Sequence, residues 1–423
     1  MKAIKLKAKQ EVTMPESPVT NLHDSMRGAK HHWAVFLGAG ASYDYGIPTM
    51  AEIADILRGL VRGNKTEHGI SEPTLKLLRT LCPDDGKTPC AWNIEDLLTR
   101  LSQLIEAAGA THSGFSSVTT VVDKSELSLQ LLKQASEELI GFMATMCNLA
   151  SCKHAKHGSG KVDYLADFFL TMATFGKPAS RLIRVFSTNI DLCVEAALVR
   201  LSQRTRADRR PDLVLVDGFE SSILPTFSMN CYRQQVPSFA DRCAVYYWKL
   251  HGSIDWTYSQ PIGATSSSEK EADYSDQSII VRSIANELSD SLAACEAVSG
   301  KQPEENKRIV IFPTPAKYSQ TYTFPYMDMF ESFRRTLEEI ELLICVGTSF
   351  PDQHIRSAIR SFVERDNTLL FVIDPQLKEG ILQSIFGDSR SVQPVIAMGF
   401  AQFVKEFVAL DTMISTERMP EGT

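Results

Sequence analysis

The sequence predicts an α/β protein: a doubly wound parallel sheet, with a helical subdomain inserted after the first strand. Three observations predict it. Short apolar runs recur along the chain and end in glycine or polar residues, as strands buried on both faces do: WAVFLG (33–38), LIRVFSTN (182–189), VYYWKLHG (245–252), ELLICVGTSF (341–350) and TLLFVIDP (368–375). Helical patterns alternate with these runs after Leu182, the rhythm of a parallel sheet. A block of helical pattern at about 72–175 interrupts the rhythm early.

Taken in order, residues 1–31 are polar, contain Pro15 and Pro18, and read as a flexible N-terminal arm. A single large domain is expected over 32–410. After the first strand, Thr49 and Glu52 form a T-x-x-E capping box, Pro48 sits just outside, and Ile53, Ile56, Leu57 and Leu60 recur at helical spacing. In WNIEDLLTRLSQLIEAAG, Asn93 is a candidate N-cap with Glu95 and Asp96 in the first turn. SELSLQLLKQASEELIGFMATMCNLA and VDYLADFFLTMATF continue the helical block. Residues 257–306, rich in Ser, Glu and Asp, read as a loop-rich insertion. RIVIFPTP is a further apolar run, and Phe330, Phe333, Leu337 and Ile340 form a core stripe. Residues 411–423 are a C-terminal tail, and no further domain is expected after it.

Composition narrows the function. With 423 residues, 43% hydrophobic and 22% charged, the chain is too long for one small domain and too apolar for a disordered one. The net charge of −7 gives no global pull toward nucleic acid. Nine scattered cysteines, none at C-x-x-C spacing, read as reduced, buried thiols. The start, MKAIKLKAKQEV, lacks the apolar stretch of a secretory leader, and no segment approaches the roughly 20 apolar residues of a membrane span. A cytoplasmic location is expected.

Three strand ends carry candidate chemistry. Gly38-Ala39-Gly40-Ala41-Ser42 follows a strand and precedes a capped helix, where phosphates approach backbone N–H groups. The third glycine of G-x-G-x-x-G is missing, Tyr43 standing in its place, so a purely structural turn is the alternative. Thr188-Asn189-Ile190-Asp191 ends a second strand, where Asn and Asp serve either a ligand or the cap of the next helix. His251, before Gly252, is placed as a base of near-neutral pKa, although a lone histidine is more often a satisfied core residue. His31 with His32, and His154 with His157, look like metal pairs, but the latter reads better as an exposed helix end. Arg204, Arg206, Arg209 and Arg210 read as solvated surface.

Together, GAGAS…GIP, TNID and KLHG in this order resemble the sirtuin family, and VGTSF and VIDP resemble its later motifs. The resemblance spans roughly residues 33–400 and implies a Rossmann-like fold with NAD as the ligand. Carried over, it implies that Gly38, Ala39, Gly40 and Ser42 hold the pyrophosphate and flank the ribose, and that Pro48 walls the nicotinamide side. Asn189 would sit near the reacting ribose, Ile190 and Asp191 would hold the carboxamide, Thr188 would line the site, and His251 would be the general base. Gly347, Thr348, Ser349 and Asp374 would contact the adenosine half.

The family's zinc ribbon of two C-x-x-C pairs is missing, because only Cys295 and Cys345 follow His251; no metal is expected. I-E-D-L-L (94–98), HGSIDW and SF-x-D-x-H-I (349–355) resemble zinc-free sirtuin-like proteins of bacterial antiphage defence, which cleave NAD. By size, the chain is most similar to the subunit paired with a HerA-type hexameric ATPase, the Nezha system. The resemblance therefore implies an NAD glycohydrolase, homo-oligomeric and restrained by a partner, with catalytic roles for Asn189, Asp191 and His251. A non-catalytic NAD or ADP-ribose sensor and a zinc-free deacylase are the competing readings.

Overall fold

Alternation of side chains across each strand assigns them to two different cores. From Trp33–Leu37, Trp33, Val35 and Leu37 enter one apolar cluster, while Ala34 and Phe36 enter another. A strand buried on both sides needs a layer of helices on each face. The structure, a computed structural model, describes residues 17–29, 32–82, 93–109, 117–119, 126–148, 164–175, 182–208, 212–219, 226–233, 242–259, 279–282, 308–310 and 324–417.

The chain runs α1 (Pro18–Gly28), β1 (Trp33–Leu37), a 3-10 helix (Ala39–Tyr45), α2 (Met50–Gly63), α3 (Glu72–Leu81) and α4 (Ile94–Gly109). The hairpin strands β2 (Ser117–Thr119) and β3 (Glu126–Ser128) lead to α5 (Leu129–Met146) and α6 (Tyr164–Met172). Then come β4 (Leu182–Ser187), α7 (Cys193–Asp208), β5 (Asp212–Val216), α8 (Asn230–Arg233), β6 (Arg242–Lys249), β7 (Gly252–Ser259), β8 (Ile279–Arg282) and β9 (Arg308–Val310). The last part is α9 (Tyr326–Glu339), β10 (Leu342–Val346), α10 (Gln353–Val363), β11 (Leu369–Ile373), α11 (Glu379–Phe386) and α12 (Phe400–Glu417).

The main sheet has six strands in the order β11-β10-β1-β4-β6-β5, all parallel. One face is covered by α1, α6, α7 and α12, the other by α9, α10 and α11. This is the doubly wound, Rossmann-like sheet that the sequence predicts. From β1 the chain moves to β4 on one side and returns later to β10 on the other, so the topological switch lies between β1 and β10.

The helical subdomain also forms, with other limits than 72–175. Its core joins α2, α3, α4 and α5, whereas α6 packs on the sheet. The reason is α6's composition: Tyr164, Leu165, Ala166, Phe168, Phe169 and Met172 are buried around most of the helix, as befits one held between layers. The Thr49–Glu52 capping box starts α2, and Ile53, Leu57 and Leu60 are buried, but Ile56 is 39% exposed.

Four expectations change. Residues 18–28, expected in a flexible arm, are helix α1, with Ser17 as N-cap, Pro18 in the first turn and Leu22 and Met26 in the core. Residues 411–417, expected in a tail, belong to α12, and Asp411 is buried against His23 of α1. The run at 308–310 joins β7 and β8 in a separate antiparallel sheet, because an apolar run does not say which sheet it enters. Ile279–Arg282, inside the expected loop-rich insertion, is strand β8. Most of 257–306 lies outside the described residues, as do 1–16, His31, His154, His157, Arg209, Arg210 and Cys295. Among the described residues, no helix is long and apolar enough to cross a membrane.

Candidate functional site

Strand register brings the candidate residues to one edge. Leu37 pairs with both Val346 and Ser187, Ser187 pairs with Lys249, and Val346 pairs with Ile373. Five neighbouring strands therefore end level, and the residues immediately after them line a single rim: Asp374, Gly347, Gly38, Thr188 and Leu250. In an open α/β sheet this carboxyl edge at the switch point is where ligands bind.

At the switch point, two backbones touch. A Cβ on Gly38 would stand 2.6 Å from the Gly347 carbonyl oxygen, and one on Gly40 2.7 Å from the Gly347 Cα. Gly347 has φ +60°, and a Cβ there would be 2.4 Å from the Ala41 nitrogen. The three glycines are thus required by mutual approach, whatever the ligand. Their amides are also engaged: Gly38 N–H donates to Val346 (2.8 Å), Gly40 N–H to Gly347 (2.9 Å) and Ala41 N–H to Gly38 (2.9 Å). The expected phosphate cradle at 38–41 is therefore largely closed on itself; Ala39 is the residue of the turn that is exposed.

Asn189 is the hub. Its amide nitrogen donates to the Gly38 carbonyl (2.9 Å) and to Ser42 Oγ (3.1 Å), while its backbone N–H donates to Ser187 Oγ (3.0 Å). Ser42 is 3% exposed, and the Tyr164 hydroxyl donates to the Ala41 carbonyl at 2.7 Å. Burial holds the Tyr164 phenol well above its ordinary pKa, so it remains a donor. Thr188 N–H donates to Leu37 (3.2 Å).

Asp191 and Ile190 are both buried. Asp191 Oδ1 accepts from Cys193 N–H at 2.9 Å and caps α7. Ile190 is buried in the core of the helical subdomain. Their carbonyls are held by Lys249, a fully buried ammonium: Nζ donates to Asp191 O (2.5 Å), Ser253 Oγ (2.6 Å), Glu195 Oε1 (3.0 Å) and Ile190 O (3.4 Å). Ile254 N–H donates to the Ile190 carbonyl at 3.0 Å. The Asn189 loop and the His251 loop are thus one braced unit.

His251 is 6% exposed, with Nε2 facing Asp352 Oδ2 at 3.3 Å. Thr348 is buried, and its Oγ1 accepts from Phe350 N–H (3.1 Å); Ser349 is exposed. Asp374 Oδ1 closes a turn onto Gln376 N–H (2.8 Å) and Leu377 N–H (3.0 Å). Pro48 is half-buried before the Thr49 cap. Among the described residues no group of His, Cys, Asp or Glu is arranged to hold a metal ion. Sequence reasoning gives no separate role to Lys249 or Asp352, although both lie inside the motifs KLHG and SF-x-D-x-H-I, and it misses Tyr164 and Glu195, for which no signal exists in spacing.

Sheet and rim define a doubly wound α/β protein whose motif-bearing strand ends meet along one carboxyl edge. No protein-family model matches the chain, and no curated protein matches it. Among solved structures it is similar to a Sir2 enzyme (12% identity, TM-score 0.40, covering 95% of this chain and 99% of that one). It is likewise similar to a Sir2 homologue solved with NAD (12% identity, TM-score 0.41, covering 93% and 94%).

Proposed function

We propose that this chain is an NAD glycohydrolase that splits NAD and water into nicotinamide and ADP-ribose. The observation that carries the reading is the rim. Asn189 and His251 follow adjacent parallel strands, β4 and β6, in one braced unit beside the glycine turn of β1. The motif order GAGAS, TNID, KLHG supports the choice of NAD. The donor set also fits a dinucleotide: an amide, hydroxyls and carboxylates for ribose hydroxyls, with an imidazole among them.

In this reading, water attacks C1′ of the nicotinamide ribose. The new C1′–O bond forms as the C1′–N bond breaks, and its electron pair goes to the pyridine nitrogen, cancelling the positive charge. The proton lost by water passes to His251 and then to solvent. Because the leaving group is already cationic, the protein need chiefly orient the ribose and stabilise an oxocarbenium-like transition state. Asn189 orients the ribose from a fixed amide, and Asp191 acts by fixing the loop that carries Asn189.

The same reading places the chain in the cytoplasm as a homo-oligomeric effector of antiphage defence, acting by NAD depletion and restrained by a HerA-type ATPase. A free NAD hydrolase drains a cofactor its host needs, which is the argument for restraint. The test is chromatography of NAD incubated with the purified chain, alone and with the ATPase. Nicotinamide and ADP-ribose in equal amounts are expected. Binding without release defines a sensor, and acyl-lysine peptide turnover defines a deacylase; either result replaces the proposal.

A further inference from the structure

The 3-10 helix Ala39–Tyr45 has few anchors of its own. Hydrogen bonds in a 3-10 helix are poorer than those of an α-helix, and Gly38 before it offers no capping side chain. Three contacts from distant segments hold it in place. Asp44 Oδ2 accepts from Ala401 N–H in the first turn of α12 (2.9 Å), Ser42 Oγ accepts from Asn189 Nδ2 (3.1 Å), and the Ala41 carbonyl accepts from the Tyr164 hydroxyl (2.7 Å). Tyr164 is 2% exposed and begins α6. Its ring is packed by Tyr45 (ring centres 4.9 Å apart) and edge-on by Phe400 (5.5 Å), so its hydroxyl is delivered to one point.

The chemistry of its partners decides which way the Asn189 amide faces. A carbonyl oxygen only accepts, so the atom 2.9 Å from the Gly38 carbonyl is the amide nitrogen. That nitrogen carries two N–H groups, and Ser42 Oγ takes the second. With both engaged on the glycine turn, the amide meets a ligand through its oxygen, as an acceptor. Ser42 is held in turn through the peptide it shares with Ala41. That unit is planar, so anchoring the Ala41 carbonyl fixes the plane that carries the Ser42 nitrogen and Cα. We propose that Tyr164 is a positioning residue for Asn189: by holding the Ala41 carbonyl it seats Ser42 Oγ as the second acceptor of the amide, so that Asn189 presents its oxygen to a ribose hydroxyl. The proposal rests on the reading of Asn189 as the residue that orients the ribose of NAD. Tyr164 acts only through the turn.

Tyr164→Phe keeps the ring and removes the hydroxyl. Exchange of the Asn189 side-chain amide protons with water, read by nitrogen-15 NMR, should show both protected in the wild type. One of the two should lose protection by about tenfold or more in Tyr164→Phe, and the same one in Ser42→Ala. Nicotinamide release by Tyr164→Phe should fall about tenfold in kcat with KM little changed. Joining Tyr164→Phe to Ser42→Ala should slow release no further than Ser42→Ala alone, because both changes break one link. A purely structural Tyr164 would lower the unfolding temperature, leave both Asn189 protons protected and add its loss to that of Ser42→Ala; that result overturns the proposal. Unchanged protection in Ser42→Ala, which leaves α6 untouched, overturns it as well. The expected loss of protection without any nicotinamide release by the wild type keeps the positioning role and removes the glycohydrolase reading alone.

Discussion

Asn189 shows why motif residues at this site resist a single label. Its amide is tied to the Gly38 carbonyl and to Ser42, so it both holds the glycine turn and stands at the rim. The asparagine is legible in the sequence because it ends an apolar run; its partners are not, because Gly38 lies 151 residues away and spacing carries no such information. The same holds for Lys249, whose position in an apolar strand gives no hint of a buried ammonium bracing two carbonyls. Glu138 is a residue whose role is pH-dependent. Burial pulls its carboxyl up, but the Ser71 N–H, Gln134, Thr74 and Ser71 side chains together hold it below its ordinary value. A carboxylate lowered in the folded chain stabilises above the unfolded value of about 4.3 and loses that contribution as pH falls through the folded value. Glu138→Gln should therefore unfold at lower urea than the wild type at neutral pH, and the two midpoints should converge as pH falls through the lowered folded value. A gap that persists in acid would assign the effect to packing.

Elements are legible where local signals and burial agree. The five runs that end at the rim are strands, and the capping box starts α2, because buried strands and capped helices announce themselves within a few residues. β5 escapes a reading of the sequence: DLVLV is short and comes after the charged stretch RADRRP. α1 carries a helix-start signal in Ser17-Pro18, yet prolines in a polar segment read equally as flexibility. The loop after β10 makes the sharpest prediction at this scale. Gly347→Ala forces a side chain into a left-handed φ and within 2.4 Å of the Ala41 nitrogen and the Gly40 carbonyl carbon. Strain and overlap together should cost about 3 kcal/mol or more, seen as a lower urea midpoint or failure to fold. A wild-type midpoint would mean that the turns after β1 and β10 do not touch.

At the scale of the whole molecule, the first and last helices meet. His23 and Arg27 of α1 bind Asp411 of α12 (3.2 and 2.9 Å), and both helices cover the face that carries α6 and α7. The helical subdomain reaches the site directly, since Ile190 is shared between its core and the Asn189 loop. Fold class is readable from alternation, and the three motifs are readable as strand ends. Contacts between distant segments, which decide what each motif residue does, emerge only on folding. The central claim is that Asn189 and His251 act together at one rim on NAD. Nicotinamide release by the wild type, Asn189→Ala and His251→Ala, each checked for a cooperative unfolding transition, measures it most directly. Release by the wild type, with a loss of at least about a hundredfold in both folded variants, is the predicted result; turnover at the wild-type rate in either variant contradicts the account.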